Sequence, residues 1–326
     1  MEYSSQKCPF CESDGPFEKI IASEKMFGSG GEYPYYKCLE CGSLWIISIP
    51  TDLSIYYGSD YYSFSASVVT LSRIVIRRIW GLLLFGSWNF LRNGTMRIRR
   101  PSPLIRVLIE QGVKFKNRIL DVGCGRGALL EDLSFMGFKY LYGYDPNLPC
   151  EKVSSWTRKY FVYREFKEIS GSYDLIMFNH SLEHSADILS SLKSIIPLLR
   201  DSNSLLVIRT PLSNSYAQRH YRENWVQFDA PRHCFIPSRS GLKNLLSRLN
   251  FRLDYMECDS TRFQFWGSEQ NARNIPLMNP KSLFQSRSGN GVFSRIELRD
   301  FDARASLLNT QLDGDEGIFC FRKKRS

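Results

Sequence analysis

The 326-residue sequence has no apolar run long enough to cross a membrane: the longest, Ile79 to Leu91, has 13 residues, against the ~20 a spanning helix needs. Its first ten residues, MEYSSQKCPF, are polar where a secretory leader would carry its apolar region. Nine cysteines are an odd number, which argues against a fully paired secreted framework in a chain of this length. The expectation is therefore a reducing, cytoplasmic compartment. No internal repeat is present. Apolar residues at 43% and charged residues at 23% exclude collagen-like, fibrous or wholly disordered chains. The length suits about two domains. Acidic residues are the scarcer sign, 33 against 43 Lys and Arg for a net charge of +10. That balance suits phosphorylated substrates, an anionic membrane or nucleic acid, and does not choose among them.

Cysteine is clustered at the start. Cys8-Pro-Phe-Cys11 and Cys38-Leu-Glu-Cys41 are two C-x-x-C knuckles separated by 26 residues. Each presents two thiolates, and together they close a four-sulfur tetrahedron with no open position for water or substrate, so the spacing predicts structural zinc. The linker is longer than the usual ~15–20 residues, and a hairpin carrying Gly28, Gly30 and Gly31 would absorb the excess.

From Arg118 onward short apolar runs alternate with helical spacing. RILDVG, YLYGYD, DLIMFN and LLVIRT read as strands, and ALLEDLSFM, with Gly137 as its cap, and DILSSLKSIIPLL read as helices. This alternation predicts crossover units and a parallel sheet covered on both faces. Phe251 to Cys258 and Gly317 to Arg322 are two further strand candidates, and SRSGLKNLLSRLN a helix. Asn279 to Gly291 reads as a loop. Between the first strand and its helix lies Asp121-Val-Gly123-Cys-Gly125-Arg-Gly127, whose glycines allow a tight turn that brings the helix N-terminus close to a ligand. Gly123, Gly125 and Ala128 also fit a dinucleotide fingerprint. Asp145 ends the next strand, 24 residues on, where a carboxylate accepts from both ribose hydroxyls of a nucleoside. That serves NAD and S-adenosylmethionine equally. The Asp121 carboxylate favours the second, because a negative charge there suits an ammonium and a sulfonium and opposes a pyrophosphate.

The residues DVGCGRG, YGYD, YDLIMFNHSLEH and the basic-ended final strand together resemble the class I S-adenosylmethionine-dependent methyltransferases. With CPFC…YKCLECGSLW and the Tyr-rich YYGSDYY, the chain looks like the bacterial subgroup that carries an N-terminal zinc ribbon. The resemblance implies an α/β, doubly wound, Rossmann-like sheet of seven strands with the last antiparallel, beside a small zinc-ribbon lobe. It divides the chain into a ribbon at 1–62, a basic apolar helical connector or lid at 63–103, and a methyltransferase domain at 104–326 with an insertion at about 259–315. It implies methyl transfer to a small-molecule acceptor, a sugar nucleotide or a surface-polysaccharide or natural-product intermediate.

The same resemblance distributes roles. Asp121, Gly123, Gly125, Gly127 and Asp145 would hold the cofactor, with Asn179 and His180 beside it and Phe166 or Lys167 bordering the adenine. Glu183 and His184 would form the acid/base pair, or else cap the following helix. A Glu-x-x-Glu-His metal motif is not matched, because His180 stands where its first Glu would be. Trp225, Asp229, Arg232 and His233 resemble a D-x-P-R-H motif. They suit a phosphorylated or sugar acceptor, Arg by bidentate contact and Trp by stacking, and equally a buried Asp229–Arg232 ion pair that fixes the loop. His220 reads as a surface histidine.

Arginines 73, 77, 78, 92, 97, 99 and 100 surround an apolar run. They predict either a helical lid on the catalytic domain or a peripheral contact with an anionic membrane through 68–100. Nucleic acid is not expected, since the excess charge is dispersed. Two rival functions remain: an NAD-type oxidoreductase on the same glycine turn, and a non-catalytic scaffold at a membrane surface.

Overall fold

The computed structural model describes residues 7–56, 70–86, 100–147, 160–285 and 292–324. The Tyr-rich 57–62 segment, Arg92, Arg97, Arg99 and most of the 279–291 loop's second half lie outside them. The chain gathers into two compact units, one from Met1–Tyr57, Leu182–Ser194 and Arg209–Lys324, the other from Gly58–Ser181 and Ile195–Ile208.

The seven-stranded sheet is built from β4 (Arg118–Val122), β5 (Tyr140–Tyr144), β6 (Phe161–Tyr163), β7 (Leu175–Asn179), β8 (Leu205–Pro211), β10 (Phe251–Cys258) and β11 (Glu316–Lys323). Its order is β10-β11-β8-β7-β4-β5-β6. β4 is parallel to both β5 and β7, and β10 and β11 are antiparallel. The expected seven strands with an antiparallel last pair are present. Four consecutive residues of β4, Ile119 to Val122, are buried, as a strand covered on both faces requires. The order reverses at β4, and in open sheets of this kind that is where ligands bind, at the carboxyl ends of the strands.

In the second unit, α2 (Pro103–Glu110) and α3 (Ala128–Met136) flank the sheet strands. Leu130, Leu133 and Met136 of α3 are buried, and Gly137 at φ 119° caps it as the sequence predicts, taking up the carbonyls of Leu133 and Ser134. The connector forms α1 (Leu71–Phe85), which packs on α3 through Gly81 and Leu84. Arg73 and Arg77 both reach Asp132 of α3. Leu71, Val75, Ile79 and Leu82, spaced along one face, are exposed. No helix among the described residues is long and apolar enough to cross a membrane.

The first unit holds a second sheet of β1 (Phe17–Ser23), β2 (Glu32–Cys38), β3 (Leu44–Ile46) and β9 (Phe235–Ile236), in that order. The predicted hairpin excursion is there: Gly28, Gly30 and Gly31 turn the β1–β2 connection at positive φ. The fourth strand is not foreseen by the sequence, since β9 comes from the far side of the Pro-Arg-His loop and pairs Phe235 with Trp45. The reason is apolar: Phe10, Tyr35, Trp45 and Phe235 are all fully buried together. The region between β10 and β11 contains two helices the sequence analysis did not single out, α7 (Phe263–Ala272) and α8 (Arg295–Thr310). The remaining helices α4 (Ile188–Ile195), α5 (Tyr216–Tyr221) and α6 (Arg239–Arg248) follow β7, β8 and β9 respectively.

A methyl group at Gly81 would stand 1.9 Å from the Met136 carbonyl oxygen. Gly81→Ala is therefore expected to force α1 off α3 and destabilise the protein by about 1–3 kcal/mol, read as a lowered chemical-denaturation midpoint. An unchanged midpoint would show that α1 does not depend on this contact.

Candidate functional site

The glycine turn grows directly from β4. Gly123 and Cys124 donate their N–H groups to the Tyr144 carbonyl of β5, which holds the turn across the end of the parallel pair. Gly123, Gly125 and Gly127 sit at φ 74°, 52° and 77°, a region L side chains rarely adopt. A methyl on Gly123 would come within 2.3 Å of the Ser181 side chain, and one on Gly127 within 2.6 Å of the Tyr160 ring. Two of the three glycines are thus required by packing as well as by backbone angle. Ser181 completes the turn by donating to the Val122 carbonyl.

Two carboxylates flank this turn and are treated in opposite ways. Asp145, just beyond β5, accepts Gly125 N–H at 2.8 Å on one oxygen and Asn147 N–H at 2.9 Å on the other. Each oxygen keeps a lone pair for a further donor such as a ribose hydroxyl. Asp121 is 3% exposed, and its Oδ1 has no hydrogen-bond partner. Burial, and then the charge of Asp145, push its carboxyl up to about 8. A buried acceptor without a donor is costly, and an ammonium group would relieve it. These residues fit an S-adenosyl group: a carboxylate for its cationic amino-acid end, a second for its ribose. Asn179 ends β7, His180 follows at φ 54°, and Phe166, in a short turn after β6, meets the Tyr144 ring edge-on at 5.8 Å. Lys167 is exposed.

The first unit brings together a different set. Leu182–His184 form a single tight turn, and the helix that follows is capped by Asp187, which accepts from Leu189 and Ser190 N–H. Glu183 and His184 do not cap it. Glu183 is buried; its Oε2 accepts the Thr210 hydroxyl at 3.1 Å, and its backbone carbonyl accepts Cys234 N–H. His184 Nδ1 lies 3.0 Å from the Arg232 carbonyl, and its ring meets that of His233 edge-on with centroids 4.7 Å apart. Burial and then the neighbouring His233 lower its pKa to about 4, so the ring is neutral near pH 7. Thr210 was not picked out by sequence reasoning, although its place at the end of LLVIRT, facing the carboxyl edge, was the available signal.

The D-x-P-R-H loop is interior. Arg232 is 0% exposed and holds Asp229 bidentately, Nε to Oδ2 at 3.0 Å and a terminal nitrogen to Oδ1 at 2.6 Å. The same guanidinium reaches Glu24 at 3.1 Å and the Tyr56 carbonyl at 3.2 Å. Burial works against the Asp229 charge, but Arg232 outweighs it and holds the carboxyl down at about 2. Trp225 is 1% exposed and donates its indole N–H to Asp315, so its hydrogen-bonding edge is committed inside the protein. His233 Nδ1 lies 2.8 Å from the Gln227 carbonyl. Of the two roles left open for this loop, the ion pair is the one formed by these contacts. Glu24 is the partner the sequence did not reveal, being 208 residues away. His220 is exposed and stacks on Tyr216.

The four N-terminal cysteines converge. Cys8 Sγ and Cys41 Sγ are 3.7 Å apart, as are Cys11 Sγ and Cys38 Sγ, and all four sulfurs lie within 4.8 Å of one another. Zinc–sulfur bonds of about 2.3 Å in a tetrahedron require sulfurs about 3.8 Å apart. The donor set and spacing fit a structural zinc ion.

Residues 95–255 match the family described as Methyltransferase domain. No curated protein matches the chain. Among solved structures, it is similar to a magnesium protoporphyrin IX methyltransferase from Synechocystis with bound S-adenosylhomocysteine, at 15% identity and TM-score 0.41, over 65% of this chain and 95% of that one. It is also similar to an S-adenosylmethionine-dependent methyltransferase from Archaeoglobus fulgidus, at 21% identity and TM-score 0.38, over 72% and 100% of the two chains. A cyclopropane synthase from Mycobacterium tuberculosis gives 15% identity and TM-score 0.38 over 64% and 78%. By the family match at 95–255, on a sheet whose order reverses at the glycine-bearing strand, the chain carries a methyltransferase domain.

Proposed function

We propose that the protein transfers a methyl group from S-adenosylmethionine to a small-molecule acceptor, a sugar nucleotide or a surface-polysaccharide or natural-product intermediate. The observation that carries the cofactor reading is the buried, unpartnered Asp121 oxygen beside the glycine turn, which suits a cation and disfavours the pyrophosphate of NAD. When bound, the cofactor supplies an electrophilic methyl on sulfur, so the protein's task is alignment. Asp121 faces the amino-acid end, Asp145 the ribose, and Asn179 and His180 flank them. Removal of the acceptor's proton is assigned to Glu183 and His184. The acceptor class rests on the resemblance of the sequence alone. The Asp229–Arg232 pair supports the loop, and the four cysteines hold zinc that staples the lobe. The proposed boundaries remain a lobe at 1–62, a connector at 63–103 and a catalytic domain at 104–326, in a cytoplasmic protein.

Calorimetry tests the cofactor. Wild type is expected to bind S-adenosylmethionine and not NAD(H), and Asp145→Ala to weaken binding by about 10–100-fold, the worth of charge-assisted hydrogen bonds; undiminished binding would sink the assignment. Asp121 adds a pH signature. Its carboxyl is raised, so the ligand-free protein carries that proton below about pH 8, and pairing with an ammonium expels it. Binding at pH 7 should release protons, shown by a heat that varies with buffer ionisation enthalpy, and Asp121→Asn should abolish that variation.

Screening nucleotide sugars for S-adenosylhomocysteine release identifies the acceptor. On that acceptor, His184→Ala and Glu183→Gln are expected to lower turnover about 10²–10⁴-fold with cofactor affinity unchanged. Equal loss of cofactor binding would instead mean a structural defect. Treatment with a weak chelator should leave one zinc per chain, and Cys38→Ser should lose that zinc together with stability; a metal-free but equally stable Cys38→Ser protein would refute the staple.

A further inference from the structure

We infer that Glu183, His184 and His233 form a second metal site, for a divalent first-row transition-metal ion, separate from the four-cysteine cluster. One ligand atom from each of the three residues lies within 4.8 Å of those of the other two, and all three residues belong to the same compact unit.

The hydrogen bonding of the two rings sets the donors. A backbone carbonyl only accepts, so the Nδ1 atoms of His184, against Arg232 O, and of His233, against Gln227 O, must carry the protons. In the neutral form of a ring so held the lone pair is on Nε2. A histidine whose Nδ1–H is held by a backbone carbonyl is the usual support for an Nε2 metal ligand, since the second contact fixes both tautomer and orientation. Glu183 is held in the same manner, by the Thr210 hydroxyl on Oε2. Two imidazoles standing edge-on at 4.7 Å with a carboxylate beside them bring three electron-pair donors to one place.

The charges nearby agree. His233 Nε2 is 3.8 Å from Asp229, and Asp229 and Glu24 share the single guanidinium of Arg232. Two carboxylates thus share one fixed cation, one of them facing His233, and a dication there offsets the excess. Bonds of about 2.0–2.1 Å in a tetrahedron place donors about 3.3 Å apart, so loading draws the three side chains inward by small rotations. Two nitrogens and one oxygen suit Fe(II), Co(II), Ni(II) or Zn(II) over calcium or magnesium, and three protein ligands leave positions open. The inference rests on the methyltransferase reading only for its use: an acceptor hydroxyl would take an open position, and the metal held by Glu183 and His184 would lower its pKa so that the proton leaves to water.

Cobalt(II) tests the site without turnover. The probe is full-length protein whose cysteine cluster retains zinc after weak-chelator treatment. Titration should show one added cobalt per chain, with weak d–d absorption and no thiolate-to-cobalt charge-transfer band. His233→Ala and the near-isosteric Glu183→Gln should each weaken cobalt binding by at least about 100-fold, the upper end of what loss of a supporting hydrogen bond costs, while circular dichroism and zinc content match wild type. The inference is overturned if wild type binds no cobalt, if cobalt enters only with a thiolate spectrum, or if a folded Glu183→Gln protein binds it as tightly as wild type. S-adenosylmethionine calorimetry on the same preparations separates the two readings: retained cofactor binding without cobalt binding removes the metal site and leaves the methyltransferase proposal standing.

Discussion

Much of the first unit depends on one buried guanidinium. A charge taken out of water is tolerable only if its donors are met in good geometry, and Arg232 meets that condition with groups from three separate stretches of chain: Asp229 beside it, Glu24 in the β1–β2 hairpin and the Tyr56 carbonyl. Glu24 is committed in turn, since its carboxylate also accepts the N–H groups of Met26, Phe27 and Ser29 that shape the hairpin. The cluster therefore fixes the conformation of the hairpin and of the Pro-Arg-His loop together. The Arg232 carbonyl, on the same residue, orients His184.

This arrangement explains why the cysteine-rich start does not behave as a bead on a string. The Phe10 carbonyl accepts from Arg248, the Gly42 carbonyl from Ser213, and the Cys41 carbonyl from Ser240. With β9 completing its sheet, the lobe draws both a strand and several caps from residues more than 170 positions away. Its knuckle carbonyls are satisfied by the C-terminal half of the chain.

What the sequence made legible follows physical range. The strand–turn–helix of 118–137 was readable because apolar runs, positive-φ glycines and a glycine cap are local signals, and each is found where the pattern put it. The cysteine cluster was readable because ligand spacing encodes a coordination geometry. By contrast, β9 is two residues long, too short for its apolar pattern to declare a strand; only its pairing with β3, which sets Phe235 opposite Trp45, makes it one. Helix α7 carries polar residues on buried positions, Gln264, Ser268 and Gln270 among them, which blurs the apolar periodicity. Glu24 could not be matched to Arg232 from sequence, as nothing local distinguishes it from a solvated turn carboxylate.

The two aspartates at the glycine turn show how one residue type serves opposite purposes. Asp145 is placed where a backbone N–H group meets each of its oxygens, and each oxygen can accept a further hydrogen bond. Asp121 lies one strand inward, where desolvation and the Asp145 charge oppose ionisation. A group in that state discriminates by charge: a cationic ligand converts a destabilised carboxylate into a paired one, whereas a neutral or anionic ligand leaves the cost in place. On the proposed reading, selectivity for a sulfonium cofactor over a dinucleotide on the same glycine turn resides less in the glycines, two of which answer to Ser181 and Tyr160, than in the depth at which one carboxylate is buried.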